Sequence, residues 1–296
     1  MVRKSVLVAF AVVIAVWSLT PIYTILNISL MAMNDVVHIP GFLLPHDPTL
    51  NQYLRLFGYD IGGVATGGTE QQLRRFGQYE GLITGLINIL IIAPVVMIIT
   101  MLAAVPAGYA LGRFRISHRN TYLGLLLGSR TLPPVSVVIP FYFLFKNLNL
   151  LGTPYALIIA DLSITIPIIS WILTGFFGSL PRDVEKAARI DGAKMFQAFR
   201  YAVLPLALPG LGATAVLAFL YPWNEFLNAW LLTGGSRSGQ VYNSFMTSFF
   251  AMQAVDNLFA SAVIIQIIPA NVVAAVLQRY ITRLKIVDPS AVVMER

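Results

Sequence analysis

The sequence predicts an all-α polytopic membrane protein with six membrane-spanning helices. Three observations carry this expectation. Of the 296 residues, 57% are hydrophobic and only 11% charged, with mean hydropathy +0.75; a soluble domain carries about 25% charged residues. Six stretches offer the roughly 20 mostly apolar residues that a crossing helix needs. Lysine and arginine sit in the short segments between those stretches, as membrane topology requires. The formal charge of +7 is therefore no sign of nucleic-acid binding. Cysteine is absent, which excludes disulfides, thiolate metal sites and cysteine catalysis. His38, His46 and His118 show no metal-ligand spacing, and no metal or other cofactor is expected.

The first span covers about 5–33, with no charge between Lys4 and Asp35. It follows Arg3-Lys4 as a signal peptide would. Its apolar run is about twice a signal core, so it reads as a retained helix. An external loop, 34–81, follows; Gly58, Gly62, Gly63, Gly67 and Gly68 mark it as largely irregular. The second span is about 82–112. The third, about 121–145, contains Arg130 and Pro133-Pro134. The fourth, about 154–178, contains Asp161 and Pro167. A polar loop, 179–205, leads to the fifth, about 206–232, with Asn224 and Glu225 toward its far end. The sixth is about 258–280. The whole of 1–296 thus reads as a single transmembrane domain.

With the N-terminus inside, fourteen lysines and arginines fall in cytoplasmic segments and five in external ones. The positive-inside rule then sets both termini in the cytoplasm. Prolines 21, 94, 106, 133, 134, 167, 222 and 269 fall within the spans, and each removes an intrahelical hydrogen bond. Broken helices suit a transport bundle better than a simple anchor.

Between the fourth and fifth spans lies a charged island, Pro181-Arg182-Asp183-Val184-Glu185-Lys186-Ala187-Ala188-Arg189-Ile190-Asp191-Gly192. Pro181 suits a first helical turn, and Asp183 and Glu185 favour its positive end. Val184, Ala187 and Ala188 fall at i, i+3 and i+4 as a small-residue face. Gly192 provides the left-handed residue that closes a helix. On these grounds alone the island is either an interfacial amphipathic helix or a helix shaped to enter a groove.

Arg130 and Asp161 are charged residues at similar depth inside spans, where charge is expensive. Two readings stay open for them, an internal ion pair or a substrate path. Asn224 and Glu225 read either as cavity lining or as a helix-end network. Trp17, Trp171, Trp223 and Trp230 fit an interfacial belt better than sugar-stacking platforms.

The island is similar to the EAA loop of ABC importer permeases. That pattern is Glu-Ala-Ala, three residues, Gly, nine residues, Ile-x-Leu-Pro. Here it runs Lys186-Ala187-Ala188, Gly192 and Ala202-Val203-Leu204-Pro205 with spacing intact. Lys186 replaces the acid and Ala202 the isoleucine, while Glu185 is an acid usual in the family. Further segments resemble the carbohydrate branch, the maltose permease G-like subunits. These are Pro48-Thr49-Leu50-Asn51-Gln52-Tyr53, Ala107-Gly108-Tyr109-Ala110-Leu111-Gly112-Arg113-Phe114, Pro140-Phe141-Tyr142, Ile190-Asp191-Gly192-Ala193 and Trp223-Asn224-Glu225-Phe226-Leu227.

The resemblance implies a type I ABC importer fold in a bacterial inner membrane. It implies a second permease subunit as heterodimer partner, two ATPase subunits and an extracytoplasmic solute-binding protein. Coupling to the ATPase would fall to Glu185, Lys186, Ala187, Ala188, Asp191, Gly192, Leu204 and Pro205. Arg130, Asp161, Asn224 and Glu225 are candidates for the substrate path. No Gly-rich loop followed by Lys and Ser or Thr is present, so the chain itself is expected to be non-catalytic. Two alternatives remain at this point: an ion-coupled secondary transporter, or a scaffold whose partner permease alone binds the sugar.

Overall fold

The computed structural model describes residues 2–36, 43–57, 59, 78–129, 131–234, 236, 239–251 and 256–281. Every regular element among them is helical. In chain order these are α1 (Val2–Leu30), α2 (Met33–Val36), α3 (Asn51–Leu56), α4 (Gln78–Arg113), α5 (Arg119–Gly128), α6 (Pro134–Asn147) and α7 (Pro154–Ser179). Then follow α8 (Asp183–Ile190), α9 (Met195–Ala198), a π-helical turn (Phe199–Val203), α10 (Leu204–Asn224), α11 (Leu227–Thr233), α12 (Tyr242–Ala251) and α13 (Asp256–Ile281). Among the described residues, five helical runs are long and apolar enough to cross a membrane: Ser5–Leu30, Gly81–Arg113, Pro154–Ser179, Met195–Asn224 and Asn257–Val276.

Two expected spans differ from what is observed. The stretch 121–145, expected as one span containing Pro133-Pro134, is split into two helices, α5 and α6, of 10 and 14 residues. Pro133-Pro134 accounts for the break. Pro133 forces its predecessor out of the helical region, and its own backbone is extended at φ −58°, ψ 135°. Pro134 then starts α6, where a missing N–H costs nothing. The expected fifth span, 206–232, is displaced. Its helical run begins at Met195 and stops at Asn224, and Glu225 is extended at φ −71°, ψ 129° before α11 starts.

The chain forms two compact units. The first comprises 1–87 and 240–269. In it, most of α1 from Ser5 to Leu26 is exposed, while Asn27, Ser29 and Met31 are buried. Hydrogen bonds tie that end. Gln52 Nε2 and Asn257 Nδ2 both donate to the Met31 carbonyl, at 2.7 and 3.1 Å. Ser261 donates to the Ser29 carbonyl and Tyr53 to the Ser29 hydroxyl.

The second unit comprises 88–239 and 270–296. Its core joins Ala104 and Tyr109 of α4, Ile169, Leu173 and Phe177 of α7, and Val203, Ala207 and Ala218 on the run into α10. Two glycines let α4 approach α7. A Cβ at Gly108 would lie 2.6 Å from Leu173 Cβ, and one at Gly112 would lie 2.7 Å from the Thr174 carbonyl oxygen. This Gly-x-x-x-Gly spacing is how membrane helices reach backbone-to-backbone contact. Deeper in the pair, the hydroxyls of Thr100 and Thr165 meet at 2.7 Å. A smaller cluster joins Val138 and Phe145 of α6, Ala156 and Ala160 of α7, and Leu232 of α11.

The π turn has a local cause. Pro205 lacks the N–H that would bond the Tyr201 carbonyl, so the α ladder is interrupted there. The turn also absorbs a slip in the buried pattern. Val203, Ala207, Gly210, Thr214 and Ala218 recur at α spacing, but the step back to buried Ala198 is five residues. Without the extra residue, Ala198 would rotate away from the core.

Candidate functional site

The island folds into a short helix, α8, outside the apolar runs. Its end is a complete Schellman closure. Gly192 takes φ +87°, its N–H bonds the Arg189 carbonyl at 3.1 Å, and the Ala193 N–H bonds the Ala188 carbonyl at 3.0 Å. No atom lies within 4 Å of a Cβ added at Gly192, so its glycine is needed for conformation and not for space. The chain then re-enters helix at Lys194, whose N–H bonds Gln197 Oε1 at 2.8 Å.

The orientation of α8 refines the expected face. Glu185 and Ala188 are half-buried, whereas Val184, Ala187 and Ile190 face outward. Ala188 therefore does not share the exposed face with Ala187. Ile190 is 85% exposed, and Phe196 on α9 is 70% exposed. Arg182, Lys186, Arg189, Lys194 and Arg200 of the same segment are also exposed, as are the acids Asp183 and Asp191. Lys186 pairs with Asp183 at 3.0 Å, but both side chains are largely solvated and the pair contributes little. Farther along, Leu204 is half-buried and Pro205 exposed.

The inward turn of Glu185 has a structural cause that sequence reading missed. Its carboxylate accepts from Tyr109 Oη at 3.1 Å, lies 3.7 Å from Arg113 Nε and 3.4 Å from Arg189 Nη2. Arg113 also donates from Nη1 to the Leu180 carbonyl at 2.9 Å and from Nη2 to the Pro181 carbonyl at 3.1 Å. The Arg113 side chain is only 3% exposed. Tyr109 sits edge-on to Phe114 and Phe177 and tilted against Phe199. One end of α4 thus holds the loop before α8 and the helix itself. The available signal is the Gly108–Gly112 spacing, which fixes where Tyr109 and Arg113 must point.

The expected path residues separate into three situations. Arg130 lies outside the described residues. Asp161 is 1% exposed on α7, and its Oδ1 has no hydrogen-bond partner among the described residues. Glu225 and Asn228 lie within electrostatic reach of it. Glu225, one residue before the N-cap Phe226, closes the first turn of α11 with its side chain: Oε1 accepts from the Asn228 N–H at 2.8 Å and Oε2 from the Ala229 N–H at 3.0 Å. Asn224 is exposed and bonds back to the Leu220 carbonyl. The fold therefore gathers Asp161, Glu225 and Asn228, and leaves Asn224 out. Trp17, Trp171 and Trp230 are exposed, whereas Trp223 is buried and stacked on Phe219. No group of three or more histidines, cysteines or acids capable of holding a metal ion occurs among the described residues.

Comparison with known proteins places this architecture. Residues 104–286, more than half of the chain, match the family described as binding-protein-dependent transport system inner membrane component. A sulfoquinovosyl glycerol transport system permease protein of Agrobacterium fabrum is 33% identical over 219 residues, covering 74% of this chain and 70% of its own. A trehalose transport system permease protein of Mycobacterium tuberculosis is 30% identical over 217 residues, covering 73% and 71%. The fold is that of a bacterial ABC transporter involved in import of the acidic polysaccharide alginate, with TM-score 0.71, 22% identity, and 94% and 96% of the two chains covered. The chain belongs to the family of binding-protein-dependent transport system inner membrane components, the membrane permeases of ABC importers.

Proposed function

We propose that this chain, acting over 1–296 as one permease domain, carries a sugar or sugar derivative inward as half of a permease heterodimer. Two ATPase subunits bind from the cytoplasm, an extracytoplasmic binding protein delivers the cargo, and both termini are cytoplasmic. The chain hydrolyses nothing itself. The sugar class is supported by the cargo named for the Agrobacterium and Mycobacterium relatives, each a permease similar to this one over about 70% of its length.

The observation that carries the reading is α8. A helix of eight residues is closed at its end by Gly192 and held at its base by Arg113. It still leaves Val184, Ala187 and Ile190 exposed outside the apolar runs, with Phe196 exposed at the start of the next run. A short rigid helix with a small apolar face and a basic rim fits a cleft on a soluble partner. Lys186, Asp191 and Arg189 orient it, and Leu204-Pro205 joins it to the next span.

Co-purification with the ATPase from cells expressing the full complex tests this. Ala187→Trp and Ile190→Asp should leave the spans inserted and lose the ATPase. Retention of the ATPase at wild-type level in both variants would remove α8 as the docking element. Sidedness is read separately. Single cysteines at Gly63 and Ala193, in a chain that has none of its own, should label from opposite faces of sealed cells. Labelling of both from outside would overturn the topology.

A further inference from the structure

We propose that Arg113, Tyr109 and Glu185 form a latch that makes α8 one rigid body with α4, so that Glu185 acts as a positioning residue within its own chain and not as a contact to the ATPase. This rests on α8 being the docking helix. The geometry sets three bonds from one helix end against one short segment. Arg113 reaches the Leu180 and Pro181 carbonyls, just before α8, at 2.9 and 3.1 Å, and approaches Glu185 within it at 3.7 Å. Tyr109, one helical turn earlier, donates to the same carboxylate at 3.1 Å. The Glu185 side chain is 13% exposed and that of Arg113 3%, while Asp183 beside them is 90% exposed. A carboxylate turned away from solvent and engaged by two groups of α4 is poorly placed to meet a docking partner. It is well placed to carry force. The forked guanidinium matters here, because a lysine offers one point charge where Arg113 makes a planar array.

The base of the latch is itself fixed. Gly108 and Gly112 let α4 touch the α7 backbone, and Tyr109 is enclosed by Phe114, Phe177 and Phe199. A push on Ile190 or Ala187 therefore has a stiff route into α4. Were α8 joined only through 179–182 and 191–194, the same push would bend those joints.

Pulsed electron paramagnetic resonance decides the matter. Spin labels go on Asp183→Cys, exposed at the start of α8, and Ile91→Cys, exposed on α4 about 33 Å along the helix from Arg113. In the wild-type background the distance distribution should be a single narrow peak that does not move when ATP and vanadate trap the complex. In Glu185→Gln and in Arg113→Lys the peak should broaden, and it should shift on trapping because α8 follows the ATPase while α4 lags. The ATPase should still co-purify with both. Tyr109→Phe keeps the ring packing and loses only the hydroxyl; it should broaden the peak less, and guards against misfolding in the charged variants. A wild-type peak that moves on trapping, or variants that stay narrow, overturns the latch. Loss of the ATPase in Glu185→Gln but not in Arg113→Lys also overturns it, because Glu185 would then touch the partner directly. If the wild-type chain fails to retain the ATPase, the docking reading fails, and the narrow-against-broad comparison on the chain alone still decides the latch.

Discussion

Glu185 and Asp161 are carboxylates of the same compact unit, about one α-helix apart in sequence, and their surroundings differ. Glu185 lies at a helix end, where Tyr109, Arg113 and Arg189 engage its oxygens. Asp161 lies two turns into α7, almost fully buried, and one of its oxygens is bonded to nothing described. Glu225 shows a third solution. Both of its oxygens cap α11, so its charge is spent on backbone donors at a helix N-terminus. A charge in an apolar protein can serve as a clamp, a cap, or a group held ready for something else. Only Asp161 is left for the last of these.

The largest expected effect tests that difference. Of the two readings that the sequence leaves open for Asp161, an ion pair with Arg130 and a place on the substrate path, the first makes the stronger prediction. Asp161→Ala should then lower the stability of the detergent-solubilised chain by about 3–5 kcal/mol, since it leaves a charge buried without its partner. The double change with Arg130→Ala should recover part of the loss. A fully stable Asp161→Ala chain with reduced sugar uptake would instead place Asp161 on the path. Thermal melting together with uptake into vesicles separates the two outcomes.

The next effect bears on the base of the latch. Gly108→Leu forces a side chain into a position where even a Cβ would lie 2.6 Å from Leu173 Cβ. Overpacking of this kind costs about 1–3 kcal/mol. It should also separate α4 from α7 and disturb the Arg113 contacts. The melting temperature should fall, and the spin-label distribution between α4 and α8 should broaden. Gly175, where an added Cβ would meet nothing within 4 Å, is the control on the same helix pair. Gly175→Ala should leave the spin-label distribution unchanged and should not lower the melting temperature, since alanine favours helix over glycine.

How much of this is legible in the sequence follows from the kind of information each feature needs. The long apolar runs and the proline punctuation are local, and so is the glycine that closes α8. The sequence alone places Gly192 in a left-handed turn because a charged helical segment ends there. Arg113 is visible only as a topology charge. Its role depends on α7 passing close enough to bring Leu180 and Pro181 within reach, a contact between residues 67 and 68 positions apart. Helical spacing allows Ala187 and Ala188 on one face; Glu185, pulled inward, rotates Ala188 with it. The break at Pro133-Pro134 can be read from proline chemistry, since two prolines in tandem disfavour an unbroken helix. The break at Glu225 cannot, because a glutamate capping the next helix looks the same as one within a span.

Gly192→Ala gives a smaller effect, confined to the docking element. Alanine at φ +87° is strained by about 1 kcal/mol, and the space around it is open. The spans should be unaffected. Hydrogen exchange should speed up at the amides of Gly192 and Ala193, whose bonds to Arg189 and Ala188 close the helix. Unchanged protection there would mean that the Schellman closure contributes nothing to holding α8.

The smallest effect is expected at Lys186, and its smallness is informative. Its bond to Asp183 is a solvated i, i+3 pair, of the kind worth roughly 0–1 kcal/mol. Lys186→Ala should therefore leave the melting temperature within error, since alanine also favours helix. Any change should appear in ATPase retention, because Lys186 lies on the exposed basic rim where a partner's charges would be met. Electrostatic contacts at a rim are screened by salt. If Lys186 helps orient the docked helix, the difference between Lys186→Ala and wild type should shrink as salt rises. A difference that persists at high salt would mean that the variant disturbs α8 itself, which would return Lys186 to the structural side of the comparison with Glu185.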